Sequence, residues 1–316
     1  MGTHATMEVG STSAASPRTS GHPTPRRKRR DWAGLVYQAP SLIVLACVVL
    51  FPLAYSIDLS FRSYSLVVPG RTGQFVGLDN YQKMFRDGDF GQALLTTLIF
   101  IVVSVTLETV LGVAAGMLLD RLRRMKRLVT SILLLPMIIA PLVVGLVFNF
   151  ALNAQFGYLT WALRTLGLPG GEGALNNGPM ALVALILVDV WEWAPFMTLM
   201  VAAGLSALPK EPFEAASVDG ASSWQAFRML TLPMLRPVLA VAILFRATEA
   251  IREFDKVYVL TGGGPGSWTT VNDLYQYRVS FAEWDLSYGA ALGLVTFAAV
   301  LILAISAFRL LAPKEL

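Results

Sequence analysis

Pro209-Lys210-Glu211-Pro212-Phe213-Glu214-Ala215-Ala216-Ser217-Val218-Asp219-Gly220-Ala221-Ser222-Ser223-Trp224-Gln225-Ala226-Phe227-Arg228-Met229-Leu230-Thr231-Leu232-Pro233 is a polar island between two long apolar runs, Met180 to Leu205 and Met234 to Ile251. Pro212 suits a first helical turn, where its missing N–H costs nothing. Glu214 complements the positive end of the helix dipole, and Gly220 can take the left-handed conformation that stops the helix. Ser222 with Gln225 reads as a capping box opening a second short helix. Trp224, Phe227 and Leu230 fall on one side of it, and Pro233 is expected to end it. The predicted unit is a helix-turn-helix with an apolar underside and a crest of small residues that a partner's surface can approach closely.

The flanking runs are two of six. Val36 to Ile57, Ala93 to Leu119, Leu128 to Phe150, Met180 to Leu205, Met234 to Ile251 and Tyr288 to Leu311 each carry the roughly 20 residues that a hydrocarbon core of about 30 Å demands. Of the 316 residues, 55% are hydrophobic and 15% charged, against about 25% charged in soluble domains; mean hydropathy is +0.58. The fold class is therefore all-α, a polytopic membrane protein with six transmembrane helices. Residues 1–30 are rich in Ser, Thr, Pro and Gly and end in Arg26-Arg27-Lys28-Arg29-Arg30. They read as a disordered basic tail ahead of a transmembrane domain over 31–316. The first apolar run is too long for a signal peptide and lacks a small-residue cleavage site, so it reads as a retained helix.

Lys and Arg set the orientation. The tail, Asp120 to Arg127, Ser206 to Arg236 and the C-terminus together hold sixteen, and the three alternate segments hold seven. Both termini and the 209–233 loop are expected on the cytoplasmic side. The net charge of +4 is thus a matter of topology, and no nucleic acid is expected as a partner. Cys47 is the one cysteine, and the two histidines, His4 and His22, lie in the tail. No disulfide, metal centre or His-dependent nucleophile is expected, so neither metal nor catalytic residues are assigned.

Proline interrupts several spans, as at Pro136 to Pro141 and at Trp193-Ala194-Pro195, where kinks or breaks are expected. Gly112-x-x-x-Gly116 is a candidate close helix contact. Ionisable residues within spans mark function or mutual pairing. Arg246, Glu249 and Glu253 fall at i, i+3 and i+7, on one helical face, and Asp189 and Glu192 are three apart beside Trp191 and Trp193. Two readings stand. The carboxylates accept hydrogen bonds from solute hydroxyls while a tryptophan packs on a sugar ring, or Arg246 neutralises Asp189, Glu192 or Glu249 between helices. Asn149 and Asn153 are further candidates, and Glu108 reads as a packing or partner contact.

Glu214-Ala215-Ala216, then Gly220, then Leu230-x-Leu232-Pro233 resemble the signature loop of binding-protein-dependent ABC importer permeases, with Leu230 where isoleucine is usual. Phe75-Val76-Gly77-Leu78-Asp79-Asn80-Tyr81 and Val259-Leu260-Thr261-Gly262-Gly263-Gly264-Pro265-Gly266 are similar to outer loops of the carbohydrate importers of the maltose and glycerol-3-phosphate type. The alanine- and proline-rich composition suits a high-GC bacterium and an actinobacterial trehalose-type system. The resemblance implies a permease subunit in the bacterial cell membrane, paired with a second permease of similar fold. It also implies two nucleotide-binding ATPase subunits and an extracytoplasmic substrate-binding protein. Glu214, Ala215, Ala216, Asp219 and Gly220 would then couple to the ATPase, and Gly262, Gly263, Gly264 and Pro265 would face the binding protein. The expected solute is a sugar, polyol or glycerophosphodiester. The glycine run is followed by Ser267-Trp268 and lacks the lysine of a P-loop. No cofactor is therefore expected in this chain, ATP and magnesium being bound by the partner. An intramembrane enzyme is disfavoured by the missing histidines, and a channel or secondary transporter has no use for the 209–233 loop.

Overall fold

The computed structural model describes Gly2, residues 32–122 and residues 125–311. The tail expected over residues 1–30 lies, but for Gly2, outside them. The chain falls into two units, Met1–Phe51 and Pro52–Leu316. The first holds α1 (Trp32–Leu45) and a π turn at Ala46–Leu50. Its Ile43, Val44 and Val48 are exposed, as the side chains of a helix bathed in lipid are.

From Phe51 the order is α2 (Phe51–Ser60), an antiparallel hairpin of β1 (Arg62–Tyr64) and β2 (Thr72–Phe75), α3 (Asp79–Arg86) and α4 (Gly88–Arg121). Then come α5 (Lys126–Ile138), α6 (Pro141–Ala151), α7 (Tyr158–Thr165), α8 (Gly178–Ser206), α9 (Glu211–Val218), α10 (Ser223–Ala226), α11 (Leu232–Ile251), α12 (Asp255–Leu260), α13 (Asn272–Tyr277) and α14 (Leu286–Leu311). Among the described residues, five continuous stretches are long and apolar enough to cross a membrane: Tyr37–Ser60, Gly88–Arg121, Gly178–Ser206, Ser223–Ile251 and Leu286–Ser306. The sixth is the α5 and α6 pair, bent by 90°. Four of the six predicted runs fall within these segments; Val36 to Ile57 begins one residue ahead of its span, and Tyr288 to Leu311 continues past Ser306 to the end of α14.

The bend has the expected cause. A proline disfavours helical backbone in the residue before it, and Ala140 is extended, φ −61 and ψ 136, directly ahead of Pro141. Two expectations about proline are corrected. Pro195 lies inside α8 and does not break it, the helix running on to Ser206. Pro233 does not end the second short helix either. α10 passes through a π turn at Phe227–Thr231 into α11, so the register widens just ahead of the ring, where a proline lacks its N–H.

The core is built on α4 against α8. Gly112 and Gly116 bring the two backbones together, as their spacing predicts: a Cβ at Gly116 would lie 2.7 Å from Val201 Cγ1, and one at Gly112 would lie 2.9 Å from the Met197 carbonyl carbon. Phe100, Leu185, Met197, Ala242, Val257 and Leu274 interlock around that contact from α4, α8, α11, α12 and α13. At the end away from α9, a second cluster joins Met84, Phe90, Val279, Tyr288 and Leu292. Asp87 locks this end, accepting from Tyr275 Oη and Tyr288 Oη at 2.5 Å each and from the backbone N–H groups of Asp89 and Phe90.

Candidate functional site

Two features of the structure bear on function, a buried charge cluster inside the helices and the loop between α8 and α11. Asp189 and Glu192, three residues apart, share the face of α8 that meets α11 and α12. Arg246 on α11 contacts Asp189 Oδ2 through Nη2. Its Nε lies 2.9 Å from Glu108 Oε2 on α4, an approach by charge and not by an aligned hydrogen bond, and Nη1 has no acceptor among the described residues. The guanidinium sits 4.8 Å from the centre of the Trp193 ring, within reach of a cation–π attraction.

Lys256 is the centre of the cluster. Its Nζ donates to Asp189 Oδ1 at 2.5 Å and Glu192 Oε2 at 2.7 Å, and lies 3.0 Å from Glu253 Oε2. The ammonium thus meets three carboxylates, two through hydrogen bonds and the third by charge alone. Arg246, Lys256, Glu108 and Asp189 have no exposed surface, and Glu192 and Glu253 have very little. Buried charge of this kind persists only when paired. Among the described residues the cluster joins four carboxylates to two cations, drawn from α4, α8, α11, α12 and the turn between the last two.

Sequence reasoning missed Lys256, which it counted as a residue of the loop after the fifth span. α11 stops at Ile251, and Arg252, with φ −96 and ψ 23, turns the chain so that α12 re-enters the bundle. α12 seats against α6, where a Cβ at Gly145 would lie 3.2 Å from Lys256 Cα. The sequence signal for this was the glycine opposite an apolar Val257-Tyr258-Val259-Leu260 run, too short to read as a span. Because the helix ends before Glu253, the i, i+7 relation to Arg246 does not hold as helix geometry; Glu253 reaches the cluster from the turn.

Four other candidates lie elsewhere. Glu249 is half-buried and forms no ion pair among the described residues, so the expected alternative pairing with Arg246 is not made. Trp191 meets Phe148 edge to face at 5.3 Å and lies on a different side of α8 from Trp193, since residues two apart on a helix face nearly opposite sides. Asn149 Nδ2 donates to Leu260 O at 2.8 Å and Val259 O at 3.3 Å, capping α12. Asn153 closes the turn after α6 by accepting from Gln155 N at 2.9 Å.

The 209–222 segment forms as its residues predict. Pro212 stands in the first turn of α9, Gly220 has φ +77, and both bonds of the Ser222 and Gln225 capping box are present at 3.3 and 2.8 Å. Glu214, Ala215, Asp219 and Gly220 are exposed and Ala216 half-buried. Val218 and Trp224 are exposed too, 86% and 66%, and Trp224 stacks on Phe227 with ring centres 5.4 Å apart. At the other end of the molecule Gly262, Gly263, Gly264 and Pro265 form a pinned turn. Arg278 donates to Gly262 O, Thr270 Oγ1 to Gly263 O at 3.0 Å and Thr269 Oγ1 to Gly264 O at 2.8 Å. Gly263 has φ +86, and a Cβ there would strike Thr270 Oγ1 and Arg278 Nη2 at 2.7 Å.

This arrangement, six spans with an exposed helix-turn-helix, has counterparts. Residues 108–315 match the model of a family described as the binding-protein-dependent transport system inner membrane component. A probable ABC transporter permease protein of Sinorhizobium fredii is 38% identical, the match covering 89% of this chain and 91% of that one. The trehalose/maltose transport system permease protein of Thermococcus litoralis is 34% identical over 85% of this chain and 90% of its own. In fold, a chain of a bacterial ABC transporter that imports the acidic polysaccharide alginate superposes with a TM-score of 0.75 at 22% identity, covering 91% of this chain and 97% of that chain. The multi-pass topology, the loop and the family match over two-thirds of the sequence agree, and the chain belongs to the inner membrane component family of binding-protein-dependent transport systems.

Proposed function

We propose that this chain forms half of the translocation pathway of an ATP-driven importer for a sugar or a related polyol or glycerophosphodiester, and that the 209–233 loop couples it to a separate ATPase. The observation that carries the reading is the exposed α9 to α10 crest. Its small residues leave room for a partner's surface, Val218 and Trp224 offer apolar contact, and Glu214 makes no ion pair among the described residues. Pairing of Glu214 with a basic group on the ATPase, and close approach over Ala215, Ala216, Asp219 and Gly220, would transmit the closure of two ATPase subunits to α8 and α11. ATP and magnesium belong to those subunits. A second permease completes the pathway, and an extracytoplasmic binding protein delivers solute to the opposite face, which carries the Gly262 to Pro265 turn. The excess of Lys and Arg on the loop's side supports cytoplasmic termini in a bacterial cell membrane. The trehalose and maltose specificity in the name of a relative supports a carbohydrate cargo.

Within this chain Asp189, Arg246, Lys256 and Glu108 are sealed among helices, so they hold the wall of the pathway together. Glu249 and the Trp193 ring, half-buried on the neighbouring faces, would meet solute. The test is ATP hydrolysis by the complex that co-purifies with this chain, screened with its binding protein against sugars and glycerophosphodiesters. One solute should stimulate hydrolysis, and Glu214→Arg should abolish the stimulation while the chain remains inserted. An ATPase that never co-purifies, or full stimulation in the variant, would overturn the coupling role.

A further inference from the structure

Two cavities meet at the end of the bundle away from α9, and nothing in the importer reading uses either. One is a slot of about 290 Å³ between α6, α7 and α8, lined by apolar side chains that include Leu152, Leu163, Ala184, Leu187 and Trp191. The other, about 550 Å³, lies in the loop from α7 to α8 and is lined by Arg164, Glu172, Asn177 and glycine backbone. Pro169 and Met180 line both, so an apolar slot opens beside a polar pocket. The helix over them, α7, carries Tyr158 and Trp161 exposed at 63% and 67%, the residue types that sit where hydrocarbon gives way to headgroups.

We infer that this pair of cavities binds one phospholipid carrying a primary ammonium group, a phosphatidylethanolamine, with an acyl chain in the slot and the headgroup in the polar pocket. An empty apolar slot in a bilayer forfeits dispersion contacts, and a lipid tail restores them. Tails are as apolar as the slot itself, so there is no hydrophobic drive to choose one lipid over another. Choice must come from the headgroup. Arg164 spends Nε on Gly171 O at 2.8 Å and Nη2 on Ala154 O at 3.5 Å. These bonds orient the guanidinium and leave Nη1 unbonded among the described residues, available to a phosphate oxygen. Glu172 is exposed in the same pocket and forms no ion pair among the described residues. A cation held by two backbone carbonyls and an exposed anion in the same pocket match a phosphate and an ammonium on a single headgroup. An anionic lipid such as phosphatidylglycerol satisfies only Arg164 and meets Glu172 with like charge.

The experiment is native mass spectrometry of the full-length chain purified in its complex and equilibrated with equal amounts of phosphatidylethanolamine, phosphatidylcholine and phosphatidylglycerol. Phosphatidylethanolamine should be retained at least fivefold over each of the others. Glu172→Gln should reduce that preference to under twofold. Ala184→Phe, which fills the slot from within, and Leu187→Trp, which blocks it from its exposed side, should each bring retention to background. Equal retention of the three lipids, or undiminished retention in both filled variants, overturns the inference. It is overturned equally if the wild type carries no lipid and the filled variants lose the second permease, which would give this face to that subunit.

Discussion

Replacing Lys256 by methionine keeps most of the side chain's bulk and removes the one charge that three carboxylates share. At the distances found, 2.5, 2.7 and 3.0 Å, each contact is worth roughly 6 kcal/mol of attraction at an effective dielectric of about 20. Desolvation and repulsion among the carboxylates offset most of this. Removing one partner of a buried ion pair nonetheless costs about 3–5 kcal/mol, because the charges left behind have nowhere to go. In a chain of this size that corresponds to a fall in Tm on the order of 10 °C. The assay is thermal unfolding of the purified chain in detergent for Lys256→Met, for Glu192→Gln with Glu253→Gln, and for all three substitutions together. The combined variant should recover at least half of the loss seen with Lys256→Met alone, since it removes the stranded charges as well. A fall of less than about 3 °C in the single variant, or strictly additive losses in the combination, would refute the view that Lys256 holds the cluster by charge.

Gly112→Ala should destabilise by about 1–3 kcal/mol through overpacking against Met197, whereas Gly91→Ala on the same helix, with nothing within 4 Å of the new methyl, should be neutral or slightly stabilising; thermal unfolding compares them directly. Asp87 gives a pH prediction. Burial disfavours its charge, but the Tyr275 and Tyr288 hydroxyls and the N–H groups of Phe90 and Asp89 outweigh that and hold its carboxyl below the usual range. A folded-state pKa below the unfolded value of about 3.9 means the contribution is fully present above that value and is lost as pH falls through the folded one. Asp87→Asn should therefore lower Tm at pH 6, and the gap to wild type should narrow as pH drops toward 3; a gap that stays constant over that range would count against it.

The parts of this architecture that could be read from the chain are those set by local chemistry. Apolar run length gave the six spans, Pro141 gave the bend, and Pro212, Gly220, Ser222 and Gln225 gave the helix-turn-helix residue by residue. The parts that could not be read depend on where a segment goes after it leaves a span. Lys256 looks like a loop residue until α12 folds back against Gly145. Glu249 and Glu253 look alike until the helix ends between them, and Trp191 and Trp193 look like a pair until the turn of α8 sends them to different faces. Pro233 was misread for a related reason, since the π turn that accommodates it has no signature in residue type. The short β1 and β2 hairpin, too, was not anticipated in an otherwise helical chain.

The distance along the chain between the members of the charge cluster has a consequence for biosynthesis. Asp189 enters the bilayer with α8, but Arg246 follows 57 residues later and Lys256 67 residues later. At about 5–20 residues per second, roughly 3–13 s pass in which α8 carries two carboxylates whose cationic partners have not yet been made. An unpaired carboxylate is costly at the centre of a bilayer. The ribosome-bound insertion machinery is therefore expected to keep α8 beside its own polar channel until α12 arrives. The fifth transmembrane segment and the short helix after it are thus what release the fourth into the lipid.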